Sequence, residues 1–124
     1  MIAADTSALI GFLQGDPDPR VRRLSAAIRD QTLWLPPPVV TEVRAGSTHN
    51  PTMDRLLNDA PMLPLVDGFW DRAGIARRTL RAKGLKARAL DALIAQCCID
   101  AGLPLITLDS DFRHFAAHCG LELG

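Results

Sequence analysis

The chain has 124 residues, 48% of them hydrophobic and 23% charged, which is ordinary globular usage and the size of a single domain over residues 1–124. That composition excludes intrinsic disorder, collagen-like repeats and disulfide scaffolds, and no apolar run reaches the ~20 residues that span a bilayer. Formal net charge is zero, from fourteen basic and fourteen acidic residues, so attraction to a polyanion has to come from uneven placement of charge. Three cysteines, Cys97, Cys98 and Cys119, are an odd count with an adjacent pair, which suits thiols in a reducing compartment. The first residues, Met1-Ile2-Ala3-Ala4-Asp5, lack the basic region of a signal peptide, so the expectation is a cytoplasmic protein with no membrane partner.

In chain order, Ile2 to Ala4 reads as a short buried strand. A helix follows at once, with Asp5, Thr6 and Ser7 as capping types and Leu9, Ile10 and Leu13 at helical spacing. The cluster Gly15-Asp16-Pro17-Asp18-Pro19 ends it and starts a second helix, striped by Val21, Leu24, Ala27 and Ile28. Leu33 to Leu35 reads as a second strand, and Pro37 and Pro38 open a helix carrying Val39, Val40, Glu42, Val43 and Arg44 up to Gly46. A helix over Pro51 to Asp59 leads to a third strand at Met62 to Val66. Asp67-Gly68 opens a long helix with Phe69, Trp70, Ala73, Ile75, Ala76 and Leu80, ending at Gly84. Ala89 to Ala101 is the most regular helix, with Leu90, Leu93, Ile94, Cys97 and Cys98 on its apolar side and Gly102 closing it. Leu105 to Leu108 is a further strand, a short helix runs through Phe112 and Phe115, and Leu121 to Leu123 is a last strand. Strands alternating with helices predict an α/β fold, a three-layer α/β/α sandwich around a mostly parallel central sheet.

In open parallel sheets functional groups gather beyond the carboxyl ends of the strands. Asp5 directly follows the first strand, Glu42 lies in the helix after the second, Asp109 directly follows the strand ending at Leu108, and Asp91 opens the regular helix. Singly, each has an ordinary explanation as a cap, a helix-dipole partner or an exposed acid. Jointly, like charges drawn to one sheet edge repel unless cations neutralise them. Carboxylate oxygens are hard ligands that suit Mg2+ or Mn2+ rather than zinc. Half of the positive charge falls between Arg72 and Arg88 with no acid among it: Arg72, Arg77, Arg78, Arg81, Lys83, Lys86 and Arg88. A lone basic helix is more often a solvated face, but beside an acidic metal site such a block can bring in a phosphate backbone.

Asp5-Thr6-Ser7, Glu42-Val43-Arg44, Asp91-Ala92-Leu93-Ile94-Ala95 and Thr107-Leu108-Asp109-Ser110-Asp111-Phe112 together resemble the motifs of PIN domains. In order, spacing and total length they are similar to the VapC toxins of bacterial toxin–antitoxin pairs. The likeness covers essentially the whole chain, and Gly102-Leu103-Pro104-Leu105 between the last two motifs adds to it. The resemblance implies a PIN-like fold and a metal-dependent endoribonuclease, held inactive by a VapB-like antitoxin and forming a homodimer. By matching position, Asp5, Glu42, Asp91 and Asp109 would hold Mg2+ or Mn2+, with Ser7 and Thr107 steadying the site from its edge. Asp111 matches a less uniform position, binding the metal through water or only capping the following helix. Arg77, Arg78, Arg81, Lys83 and Lys86 would hold the RNA, and the implied product carries a 5′-phosphate.

Two other readings remain beside this one. The first is a PIN-like module that binds RNA or a protein without turnover. The second is a receiver-like phospho-acceptor domain, which wants an acidic pair after its first strand and a late lysine. Here Thr6 and Ser7 follow Asp5, and no lysine occurs after Lys86. A zinc site from His114, His118, Cys119, Cys97 and Cys98 matches no usual ligand spacing. The sequence also lacks a Gly-x-Ser-x-Gly elbow, a Walker loop and a Gly-x-Gly-x-x-Gly dinucleotide motif.

Overall fold

A computed structural model describes residues 1–46 and 49–124. Its centre is a three-stranded parallel sheet of order β2-β1-β3, with β1 (Ile2–Ala4) in the middle, β2 (Leu33–Trp34) on one side and β3 (Leu105–Ile106) on the other. Ile2 lies opposite Leu33, Ala3 opposite both Trp34 and Leu105, and Ala4 opposite Ile106. Parallel neighbours need crossover connections. Helices α1 (Thr6–Leu13) and α2 (Pro19–Arg29) make the first. Helices α3 (Pro37–Arg44), α4 (Pro51–Asp59), α5 (Phe69–Ala82) and α6 (Ala89–Ala101) lie between β2 and β3, and α7 (Phe112–His118) follows β3.

The helices start and stop where local chemistry dictates. Asp5 accepts from the Ala8 N–H, Asp18 from that of Arg20 and Asn50 from that of Met53, each supplying a donor at a helix start with an acceptor. Gly102 takes φ 64° as the C-cap of α6, a left-handed conformation that glycine adopts without steric cost.

The strands are shorter than the sequence predicts. The expected strand Met62–Val66 reduces to one parallel bridge, Leu35 to Met62, held by Leu35 N–H on the Pro61 carbonyl and Leu63 N–H on the Leu35 carbonyl, both at 2.9 Å. Pro61 and Pro64 have no N–H to extend the ladder. The last expected strand, Leu121–Leu123, is likewise a single bridge, Leu105 to Leu123, because β3 has only two residues to offer. β3 stops at Ile106 rather than Leu108, since the Thr107 hydroxyl accepts from the Asp109 N–H at 3.0 Å and turns the chain.

The core is one cluster around β1, including Leu9, Leu24, Leu35, Leu80, Ile94 and Phe115. Helix α6 is buried on more of its circumference than its predicted stripe: Asp91, Ala92, Ala95 and Gln96 are buried along with Ile94, Cys97 and Cys98, while Leu90 and Leu93 are half-buried. Such a helix belongs at the centre of a domain. On α5 the reverse occurs, with Trp70 and Ile75 exposed to solvent. Among the described residues no helix is long and apolar enough to cross a membrane.

Candidate metal centre

Asp5 ends the central strand and caps α1, and its carboxylate is buried. Its Oδ1 accepts from the Ser7 hydroxyl at 2.7 Å and the Ala8 N–H at 3.0 Å, and its Oδ2 accepts from the Thr107 hydroxyl at 2.6 Å. Ser7 Oγ in turn accepts from the Leu108 N–H at 2.9 Å. These bonds tie the end of β1 to the end of β3. From the other side Arg20 donates to the Thr107 carbonyl at 3.1 Å while gripping Asp18, whose carboxyl beside Arg20 drops to about 2. Burial raises the Asp5 pKa, the hydrogen bonds from Thr107, Ala8 and Ser7 oppose the shift, and the charge of Asp109 adds to it.

Asp91 lies in the first turn of α6 and is also buried. Burial raises its pKa, Arg88 works against the shift, and the charges of Asp109 and Glu42 push it further up. Glu42 arrives from α3 and accepts a hydrogen bond from the Thr6 hydroxyl. Asp109 follows β3, with Oδ1 accepting from the Asp111 N–H at 2.9 Å. The tightest group is Asp91, Asp109 and Asp111, each offering an oxygen within 4.8 Å of the others. Asp5 is joined to this group through the Thr107 hydroxyl, which donates to Asp5 and accepts from the Asp109 N–H, and Glu42 is held by Thr6, the residue after Asp5. The fold therefore gathers Asp91, Asp109 and Asp111 from two distant chain segments, with Asp5 and Glu42 at the border of the group.

The basic segment divides by partner. Arg72 is turned onto Asp100 in a two-pronged ion pair at 2.6 and 3.0 Å. Arg77, Arg78 and Arg81 line an open groove with Gly74 and Ala82 on α5, and Arg77 Nε donates to the Ala87 carbonyl at 2.8 Å. Lys83 is exposed at the end of that helix. Lys86 and Arg88 lie on the acids: Lys86 Nζ is 3.2 Å from Asp111, and Arg88 reaches both Asp91 and Asp109 at 3.0 Å. Among the described residues the histidines and cysteines form no metal-ligand group. Burial pushes the Cys97 thiol up to about 12 and that of Cys98 higher still.

The family model of the PIN domain matches residues 2–118, nearly the whole chain. The chain belongs to the PIN domain family. Its fold is shared with VapBC2 from Rickettsia felis, solved bound to a DNA fragment from their promoter, at a TM-score of 0.77 and 22% identity over 100% of this chain and 98% of that one. FitAcB from Neisseria gonorrhoeae matches at a TM-score of 0.69 and 19% identity, over 99% and 96% of the two chains. VapBC-5 from Mycobacterium tuberculosis matches at 0.68 and 22%, over 98% and 95%.

Three features of this PIN domain's site escaped the sequence reading. Thr6, between two residues singled out, holds Glu42. Arg20, next to the stripe residue Val21, supports Thr107 through its carbonyl. Arg88 spans two acids, and only its i,i+3 relation to Asp91 was visible in the sequence. Thr107 makes a direct test of the network. Thr107→Val keeps the shape but leaves the Asp5 Oδ2 and the Asp109 N–H without their partner, so it should cost about 1–3 kcal/mol by urea denaturation. A loss below about 0.5 kcal/mol would mean that water replaces the hydroxyl freely.

Proposed function

We propose that this PIN domain is a Mg2+- or Mn2+-dependent endoribonuclease that hydrolyses RNA phosphodiesters, acting as the toxin of a VapBC-type pair. The observation that carries the reading is the convergence of Asp91, Asp109 and Asp111, with Asp5 and Glu42 beside them, on one sheet edge. Membership of the PIN family, whose domains are generally nucleases, supports it. In this reading Asp91, Asp109 and Asp111 supply the converging oxygens, and Asp5 and Glu42 at their border complete the set that holds the ion, a donor set of hard oxygens that fits either cation. A divalent ion in such a site supplies Lewis-acid polarisation of a phosphate and an activated water.

The chain's own residues do the rest. Ser7 and Thr107 fix both oxygens of Asp5, so its orientation is set before any ligand arrives. Arg77, Arg78, Arg81, Lys83 and Lys86 draw in the RNA backbone by releasing counterions, an attraction that weakens as salt rises. The partners that accompany this reading are RNA, a VapB-like antitoxin and a second copy of the chain. The antitoxin assignment draws on the VapBC complexes among the similar structures. The cytoplasm is the expected site of action.

The second reading, an RNA- or protein-binding module without turnover, is favoured by one observation: Arg88 and Lys86 already pair with the clustered acids. Incubation with total RNA separates the two. The expected result is cleavage with Mg2+, none with excess chelator, and recovery when Mn2+ is added back. Cleavage that persists in chelator, or none with either cation, overturns the nuclease assignment.

A further inference from the structure

Arg88 is the cation that, among the described residues, bridges two of the clustered acids. Its Nε donates to Asp91 Oδ2 and its Nη2 to Asp109 Oδ2, both at 3.0 Å. It sits at the N-cap of α6 on extended backbone, at φ −69° and ψ 148°, with its side chain 57% exposed. The guanidinium therefore covers the acid pair from the solvent side.

Arg72 provides the contrast within the same molecule. It uses all three of its nitrogens, on both oxygens of Asp100 and on the Asp67 carbonyl, and Asp100 is held in addition by Gln96. That is a fixed structural clamp. Arg88 spends two nitrogens, and its Nη1 makes no hydrogen bond among the described residues. The arm to Asp109 is partly open to solvent, unlike that to the buried Asp91, and a pair of that kind is weak and exchangeable. One charge spread over two carboxylates also neutralises the cluster incompletely, and a divalent cation would do so better.

We propose that Arg88 is the exchangeable cation of the site: it holds Asp91 and Asp109 together without a divalent ion, yields their oxygens when one binds, and then holds an RNA phosphate at the mouth of the site. This rests on the nuclease reading above. The planar fork suits the second role, since a guanidinium pairs two donors with two phosphate oxygens where an ammonium offers a point charge. Lys86, on Asp111 at 3.2 Å, lacks that geometry.

The test uses the full chain, stripped of metal, as wild type, Arg88→Gln and Arg88→Lys, with folding checked by circular dichroism. Mn2+ is titrated calorimetrically without RNA. With the competing cation gone, Arg88→Gln should bind Mn2+ several-fold more tightly than wild type, with Arg88→Lys between them. In chelator, Arg88→Gln should melt below wild type, because the acids then repel unopposed. At saturating Mn2+, Arg88→Gln should raise KM for RNA more than it lowers kcat, and Arg88→Lys should recover part of the loss. Unchanged or weaker Mn2+ binding in Arg88→Gln overturns the exchange, and an unchanged KM overturns the phosphate role. If Arg88→Gln binds Mn2+ more tightly than wild type while none of the three chains cuts RNA, the nuclease reading falls and the cation exchange stands. If Mn2+ binds to none of them, both fall.

Discussion

Asp5→Asn should leave the fold intact and reduce metal-dependent RNA cleavage by at least roughly 100-fold, since loss of a supporting residue around a metal already costs 10–100-fold. The fold survives because asparagine caps helices as well as aspartate does and keeps an oxygen for the Ala8 N–H. Activity falls because a neutral amide is a poor ligand for a hard cation. The sign of the stability change follows from the pKa. Burial raises the Asp5 carboxyl above the usual aspartate range. Its contribution to folding is thus full below the unfolded-chain value and is lost as pH rises through the folded one. Above the unfolded-chain value and without metal the native protein bears the cost that burial sets on ionising Asp5, and the asparagine variant does not. Thermal melts in chelator at pH 7 should therefore place Asp5→Asn at or above the parent, with its stability depending less on pH between the two values. Parent-level cleavage by a well-folded Asp5→Asn preparation would remove Asp5 from the metal site.

Phe115→Ala should cost about 3–5 kcal/mol, the range for a large aromatic truncated in a packed core. Phe115 is fully buried, with its ring centroid 6.0 Å from that of Phe112, and its carbonyl accepts from the Leu121 N–H. Against a typical total of about 5–15 kcal/mol that is a large share. Helix α7 begins directly after the Asp109–Asp111 turn, so its loosening reaches the acid cluster as well. Urea denaturation reads the stability and Mn2+ titration reads the site. A loss below about 1 kcal/mol would show that the pocket left by the ring collapses or that α7 is not part of the cooperative core.

The helices were legible because their ends are written locally. Asp18-Pro19, Asn50-Pro51 and Gly102 each fix a boundary through a side-chain cap, a missing N–H or a left-handed residue. The strands were legible only as places. Met62–Val66 and Leu121–Leu123 have strand-like composition, yet how far a strand runs depends on the partner opposite, and β2 and β3 offer two residues each. The candidate acids were readable from their positions after strands and at helix starts. Which cations they meet was not, because the pairing of Arg88 with Asp109 joins residues 21 apart and that of Thr6 with Glu42 residues 36 apart. A run of seven basic residues likewise gave no sign that Arg72 serves Asp100 while Arg77, Arg78 and Arg81 line a groove.

The Asp5–Thr107 hydrogen bond has a consequence for biosynthesis. It joins residues 102 positions apart, and the strand that leads to Asp5 is flanked by its β3 neighbour only after Leu105 and Ile106 exist. A growing polypeptide thus emerges from the ribosome with its first acid long before Asp91, Asp109 and Asp111 have been made. No fragment ending short of β3 carries the assembled cluster, so whatever chemistry the acids support begins only when synthesis is nearly done.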